Sequence, residues 1–211
     1  MRNPYPILLQ AMLLLLFIGP IWLWAQNQTP SGYLILHTQD TLYGKVSPIK
    51  ESGFGGRRFY KKIKITTTQG KRKQYPRQKV VAFEIDGVFY ESFYLRQATS
   101  SVLNFSLDNP NYIVDPVRGE QHFLKCIHRG ALSHYKLEWL EQGNSTLWSM
   151  SLLKKAGEPT FIRADQGLFG LKRKALLTYF SDCSKIQTAL QERQLKQVAQ
   201  VVDFYNTHCG V

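Results

Sequence analysis

Apolar and polar residues alternate through much of the chain between Gly32 and about Ile162. The segments are short, rich in Val, Ile, Thr, Tyr and Phe, and separated by turn residues, a pattern typical of antiparallel strands. Asp86-Gly87 is the strongest hairpin signal among these turns. The predicted strands are Tyr33 to His37, Leu42 to Val46, Phe59 to Thr67, Arg72 to Tyr75, Val80 to Ile85, Val88 to Tyr94, Val102 to Leu107, His122 to His128, Leu132 to Leu140 and Thr146 to Leu153.

The strand predicted from Phe59 to Thr67 carries three lysines. Strict alternation places one set of side chains on each face, and the two sets are Phe59, Lys61, Ile63 and Ile65, and Tyr60, Lys62, Lys64 and Thr66. Period two therefore predicts that the lysines lie mainly on one face, which Tyr60 shares.

The spacing of apolar residues changes after Gly170 to three and four positions, which is typical of amphipathic helices. The residues with this spacing are Leu171, Ala175, Leu176, Tyr179 and Phe180. We expect Ser181 or Asp182 to cap a second short helix through Leu190. A final helix is predicted to end at Asn206, with an apolar face made of Leu195, Val198, Ala199, Val202 and Tyr205.

Strands followed by helices predict an α+β protein. We expect an antiparallel β region over residues 26–165, built of hairpins in a barrel-like or sandwich arrangement. A small helical region over residues 166–211 is expected to pack on it. With 44% hydrophobic and 13% aromatic residues, the chain has enough apolar material for a folded core.

The N-terminal residues have the layout of a secretory signal peptide. Arg2 supplies a positive charge, an apolar run extends from Ile7 to Trp24, and the small residue Ala25 precedes Gln26. We therefore expect residues 1–25 to be removed and the protein to be exported to the periplasm or the outer membrane. An uncleaved anchor helix is the alternative, because the apolar run is close to the ~20 residues that span a bilayer.

Three cysteines fit this compartment, where disulfides persist. Cys183 and Cys209 stand at the start of one predicted helix and the end of another, and an antiparallel helix pair would bring them together. We predict a disulfide between them, with two independent thiols as the alternative. Cys126 lies in a predicted strand and is expected to be a small buried residue.

A basic segment runs from Arg57 to Lys79 within a chain of net charge +12. It contains no acidic residue and is interleaved with Phe59, Tyr60 and Tyr75. Such a hairpin would suit an anionic glycan, a lipid headgroup or an outer-membrane protein. The candidate anion-binding residues are Arg57, Arg58, Lys62, Lys64, Lys71, Arg72 and Lys73.

Another interpretation of this segment is a solvated outer face, whose lysines prevent pairing at a sheet edge. Nucleic acid is the least suitable partner, because the chain is predicted to leave the cytoplasm.

Motifs for catalysis, cofactors and metals are absent or weak. Two Ser-x-x-Lys patterns begin at Ser47 and Ser151, but the motifs that accompany them in acyl enzymes are missing. His122, Cys126 and His128 would share one face of a strand, but a lone strand spaces its side chains poorly for a metal. We assign no catalytic residue, no cofactor and no metal ligand, and expect binding rather than catalysis.

Several short elements recur in a characteristic order along the chain. They are Asp40-Thr41-Leu42-x-Gly44-Lys45-Val46, Tyr75-Pro76 leading to Phe83, Asp86-Gly87-x-x-Tyr90, Tyr179-Phe180-Ser181-Asp182-Cys183 and Tyr205-Asn206-x-x-Cys209. This order resembles a family of uncharacterised exported proteins of the Gram-negative cell envelope, some of which are thought to carry a C-terminal outer-membrane β-barrel. The resemblance implies a cell-envelope protein and brings no catalytic residues with it.

The first functional hypothesis is therefore a non-enzymatic envelope protein that binds an anionic envelope component or a partner protein through its basic hairpin. The second is a hydrolase or transferase whose site is assembled from residues distant in sequence. The third is a structural accessory module of an outer-membrane assembly.

Overall fold

The computed structural model describes residues 32–50, 60–67, 69–98, 111–140, 146–167 and 170–210. The predicted signal peptide, the predicted strand from Val102 to Leu107 and the candidates Arg57 and Arg58 lie outside these residues. The strands are β1 (Gly32–Leu36), β2 (Thr41–Lys50), β3 (Tyr60–Thr66), β4 (Arg72–Pro76), β5 (Val80–Ile85), β6 (Val88–Gln97), β7 (Tyr112–Val114), β8 (Glu120–His128), β9 (Leu132–Leu140), β10 (Leu147–Lys155) and β11 (Thr160–Arg163). The helices are α1 (Arg173–Tyr179), α2 (Ser184–Gln191) and α3 (Val198–His208).

The strands form one antiparallel sheet in the order β4-β3-β2-β1-β5-β6-β7-β11-β10-β9-β8. Because β6 also pairs with β8, the last six strands of this order close into a barrel. The predicted α+β class, with an antiparallel β region before a helical region, is confirmed. Two short barrel strands, β7 and β11, were not among the predicted strands, since three or four residues are too few to show a period.

The barrel and the remaining sheet separate at β6. Residues Val88 to Glu91 pair with β5, and residues Leu95 to Gln97 pair with β7. On its other edge, β6 pairs with β8 through residues Tyr90 to Leu95. Strands β5, β1, β2, β3 and β4 therefore leave the barrel as an extension, which folds back over the outer face of β8.

Glycines allow this extension to coil closely. Gly32 in β1 lies directly opposite Gly44 in β2. A Cβ atom at Gly44 would collide with the Thr66 carbonyl group of β3, and one at Gly32 would collide with the Glu84 carbonyl group of β5. Close backbone approach of this kind explains why glycine occupies strand interiors here.

Three apolar clusters correspond to the three layers of the structure. The barrel interior contains Leu95, Leu124, Tyr135, Leu137, Leu152 and Phe161. The extension encloses Leu34, Val46, Tyr60, Ile63, Ile65, Val80, Phe83 and Phe123 against the barrel. The helices bury Leu176, Phe180, Ile186, Val201, Val202 and Tyr205 against Leu132, Leu153 and Ile162 on the barrel's outer face.

The helical region is linked to itself and to the barrel by specific contacts. Cys183 and Cys209 lie at disulfide distance, with Cα atoms 5.9 Å apart, in agreement with the predicted pair. The Asn206 amide exchanges hydrogen bonds of 2.7 and 3.0 Å with the backbone of Leu132 in β9. The predicted caps at Ser181 and Asp182 are wrong, because α2 begins after Cys183, which makes no side-chain capping bond.

Among the residues that the structure describes, no helix is long and apolar enough to cross a bilayer.

Candidate anion-binding surface

The register of β2, β3 and β4 places four cations on one face of the extension. Directly paired residues of antiparallel strands share a face. The cross-strand rows on this face are Lys45 with Thr66 and Arg72, Ser47 with Lys64 and Gln74, and Ile49 with Lys62 and Pro76. We call Lys45, Lys62, Lys64 and Arg72 the basic face. Three of these side chains are exposed and Lys64 is half-buried.

The charge of this surface is of one sign. Strands β1 to β4 contain no Asp or Glu, whereas lysines or arginines occur on each of β2, β3 and β4. Rows on one face are about 7 Å apart and neighbouring strands about 5 Å apart, so the four cations lie within reach of a single polyanion. Their potentials add to a positive field outside the extension.

The predicted candidates divide between two faces. Lys62, Lys64 and Arg72 belong to the basic face, and Lys71 is exposed in the turn that precedes β4. Lys73 pairs with the buried Ile65, so it lies on the opposite face of the sheet. Sequence reasoning missed Lys45, because it stands outside the basic segment and only the pairing of β2 with β3 brings it there.

The predicted position of Tyr60 beside the lysines is wrong. The register shifts between Ile49 and Lys50, so that Lys62 pairs with Ile49 while Tyr60 pairs with Lys50. The extra residue, Lys61, forms a β-bulge, and a bulge reverses the side-chain alternation on its own strand. Tyr60 is consequently only 4% exposed and packs in the apolar core of the extension.

Tyr60 forms the polar part of this core together with Glu138 and Tyr90. Its hydroxyl donates a hydrogen bond of 3.1 Å to the Glu138 carboxylate on β9 and also hydrogen-bonds Tyr90. Burial, assisted by these two neighbours, raises the pKa of Tyr60 far above its usual range. Tyr60 therefore remains a neutral donor and serves the structure rather than an external ligand.

Other aromatic side chains accompany the basic face instead. Tyr43 of β2 is 68% exposed and lies on the same face as Lys45. Its ring centroid is 6.2 Å from that of Tyr33, which is 6.3 Å from that of Phe89. We call Tyr43, Tyr33 and Phe89 the aromatic row. It crosses the sheet from β2 to β6. Strand β2 carries both Tyr43 of the aromatic row and Lys45 of the basic face.

A pocket of about 500 Å³ opens beside the basic face. It lies between β2 and the hairpin of β5 and β6. Lys45, Lys50 and Asp86 supply its charges, and Tyr60 and Tyr90 form part of its wall. Val46 and Pro48, which also line the pocket, alternate with Lys45 along β2, so much of the lining belongs to the face opposite the basic face.

The patterns considered for catalysis remain weak in three dimensions. Ser47 and Ser151 both lie within strands, and the backbone N–H of Ser151 is bonded to Asp165. Burial raises the pKa of the Cys126 thiol, which makes it a poor nucleophile at neutral pH.

The residues considered as a metal site, His122, Cys126 and His128, do not lie on one face of β8. A register shift after Cys126 pairs His128 with His134, whereas Cys126 pairs with Tyr135 in the barrel interior. His128 therefore leaves the face on which His122 and Cys126 lie. Within the described ranges, no group of three or more His, Cys, Asp or Glu is placed to hold a metal ion.

Comparison of the chain with protein-family models, curated proteins and solved structures gives no match. The fold and the basic face therefore define the protein as an antiparallel barrel with a charged sheet extension.

Proposed function

We propose that this protein is an exported, non-enzymatic component of the cell envelope that binds an anionic envelope molecule, or the acidic surface of a partner protein, through its basic face. The observation that carries the proposal is the alignment of Lys45, Lys62, Lys64 and Arg72 on one face of strands that contain no acidic residue. The signal-peptide layout of residues 1–25 supports the location.

The physical basis is electrostatic. Each lysine or arginine near an anionic surface contributes about 1 kcal/mol to binding, so four neighbouring cations produce a substantial affinity for a polyanion. The interaction is open to solvent, and its strength should therefore fall steeply as salt increases. Strand β4 ends the described sheet, so Arg72 and Lys73 also fit the interpretation that they protect an edge.

Charge reversal with a matched control tests whether the basic face binds anions or only protects a sheet edge. The triple variant Lys62→Glu, Lys64→Glu and Arg72→Glu changes the net charge by the same amount as Lys174→Glu, Lys185→Glu and Lys196→Glu, whose positions are exposed in the helical region. Binding to polygalacturonate, polyphosphate and phosphatidylglycerol vesicles is measured by titration at two salt concentrations.

We expect the basic-face variant to lose at least about 30-fold in affinity for the anions that the wild type binds, and the helical variant to lose less than about 3-fold. Equal losses in the two variants would mean that only net charge matters. An unchanged affinity in the basic-face variant would overturn the proposal.

A further inference from the structure

The aromatic row adds ring surfaces for stacking to the charged contacts of the basic face. Tyr43, Tyr33 and Phe89 lie on strands β2, β1 and β6, and their neighbouring ring centroids are 6.2 and 6.3 Å apart. The strand between Tyr33 and Phe89 contributes Glu84, which pairs with both. Four strands span about 14 Å, which is close to the length of three sugar units.

The row and the cations form one continuous surface. Tyr43 and Lys45 are two positions apart on the same strand face, a separation of about 7 Å. At the other end, the Arg129 guanidinium lies 4.6 Å from the centroid of the Phe89 ring and 2.7 Å from Glu91. An extended ligand on the aromatic row would therefore meet the Lys45 cation at one end and the ion pair of Arg129 with Glu91 at the other.

The exposure of Tyr43 is unusual for a large aromatic ring. At 68% exposure it gains little from burial within this chain. Contiguous exposed apolar patches rimmed by polar residues mark interaction sites, and Tyr43 is the exposed end of the aromatic row next to Lys45. A pyranose ring suits such a position, because its C–H face packs on an aromatic ring while its hydroxyl and carboxylate groups remain at the edge.

Glu84 favours a sugar over a phosphate polymer at the centre of the row. Tyr33 hydrogen-bonds Glu84, which lies between the Tyr33 and Phe89 strands. The Glu84 carboxylate repels any polyanion, but a polysaccharide offers it hydroxyl donors between its charges, whereas polyphosphate offers none. The surface thus combines the cations of the basic face at one end with a hydrogen-bond acceptor in the middle of the row.

We propose that the ligand of the basic face is an acidic polysaccharide, which crosses the strands with its sugar rings on the aromatic row and its carboxylates on the cations. This inference rests on the proposed function of the basic face and specifies the chemical class of its ligand. It assigns Tyr43 the role of a stacking platform and Lys45 the contact that links the two parts of the surface.

Replacement of Tyr43 tests the stacking contact without disturbing a core. The variants Tyr43→Ala and Tyr43→Phe are compared in the full chain, with circular dichroism to verify folding. Affinities are measured for polygalacturonate as the acidic polysaccharide, and for polyphosphate, an oligothymidylate and phosphatidylglycerol vesicles as anions without sugar carboxylates. Neutral dextran serves as the uncharged glycan.

We expect Tyr43→Ala to lower the affinity for polygalacturonate about 5-fold to 10-fold and to change the affinity for polyphosphate less than 2-fold. Tyr43→Phe should retain most of the wild-type affinity, because the ring remains. Dextran, which is uncharged, should bind much more weakly than polygalacturonate.

Two results would overturn this inference and leave the proposed function standing. One is an unchanged polygalacturonate affinity in Tyr43→Ala while reversal of the basic face abolishes binding. The other is tighter binding of the oligothymidylate or the vesicles than of polygalacturonate, with an equal or larger loss in Tyr43→Ala. Failure of the proposed function has a different signature, since the basic-face reversal would then have no effect on any anion.

Discussion

The Tyr60 hydroxyl donates a hydrogen bond of 3.1 Å to the Glu138 carboxylate, and this contact joins the start of β3 to the outer face of the barrel. Both residues are buried, with 4% and 8% of their surface exposed. The Tyr60 ring also meets Phe83, Tyr90 and Phe123 at centroid distances of 5.6 to 6.0 Å. The contact fixes the strand that presents Lys62 and Lys64.

Tyr60→Phe tests this contact. The ring packing would be retained, but the buried Glu138 carboxylate would lose a hydrogen-bond donor, so we expect the free energy of unfolding to fall by about 1–3 kcal/mol. Urea denaturation of the wild type and the variant measures the difference. Tyr43→Phe is the matched control, because Tyr43 is exposed, and its change should stay within about 0.5 kcal/mol. Equal effects of the two variants would show that the Glu138 contact contributes little.

The two faces of β3 and β4 should differ in binding. Lys64 belongs to the basic face, whereas Lys73 shares the opposite face with Ile65. We expect Lys64→Glu to lower polyanion affinity by at least about 5-fold and Lys73→Glu by less, because reversal of one contacting charge costs on the order of 1 kcal/mol or more. Titration with polygalacturonate at low salt compares the two variants. Larger losses from Lys73→Glu would contradict the assignment of faces.

The Cys183 and Cys209 pair should stabilise the helical region. The two cysteines are 26 positions apart, and a bridge that closes such a loop contributes about 3 kcal/mol in the chain-entropy model. Replacement of both by alanine should lower the free energy of unfolding by about that amount, and reductant should have no further effect on the variant. Two alkylated cysteines at these positions before reduction, found by mass spectrometry, would exclude the bridge.

His134 should make stability dependent on pH. It is buried on the outer face of β9, and burial lowers its pKa to about 4, with Lys136 and His128 acting in the same direction and Asp165 against it. In the unfolded chain its pKa is about 6.5. As pH falls below about 6.5, the unfolded chain binds a proton that the folded protein does not, so stability is lost until about pH 4.

This contribution is expected to be about 2 kcal/mol between pH 7 and pH 5. Urea denaturation at the two pH values measures it in the wild type and in His134→Gln, where the dependence due to this residue should disappear. Identical pH dependence of the two proteins would show that the imidazole is accessible to protons in the folded state.

Lys155 should hold the helical region on the barrel. Its side chain is only 11% exposed, and its ammonium group donates to Asp182 at 2.7 Å and to the Tyr179 carbonyl oxygen at 2.9 Å. The same group lies 4.7 Å from the centroid of the Tyr179 ring. These contacts connect β10 to the segment between α1 and α2.

Lys155→Ala should lower the free energy of unfolding by about 2–4 kcal/mol, because it removes charge-assisted hydrogen bonds and the packing of the aliphatic stem. Lys185→Ala, at an exposed position in α2, is the control and should change stability by less than about 0.5 kcal/mol. A loss below 1 kcal/mol in Lys155→Ala would contradict the role assigned to this lysine.

Local sequence determined most of the elements of this protein. The hairpin at Asp86-Gly87 forms as predicted, with φ angles of 51° and 77°, and Ile85 pairs with Val88 across it. Strands β5 and β9 have the predicted limits, because turn residues bound them, with Asp86-Gly87 after β5 and Gly130 before β9. The change of period after Gly170 marked the helical region, whose individual caps were less predictable.

Tertiary structure decided the closure of the barrel and the composition of the candidate surface. Pairing between β6 and β8 joins residues some 30 positions apart, and no local period encodes such a partner. The bulge at Lys61 moves Tyr60 into the core, and the pairing of β2 with β3 brings Lys45 to Lys62 and Lys64. Alternation along one strand specifies two faces, but only packing and register determine which is buried and which side chains from other strands share it.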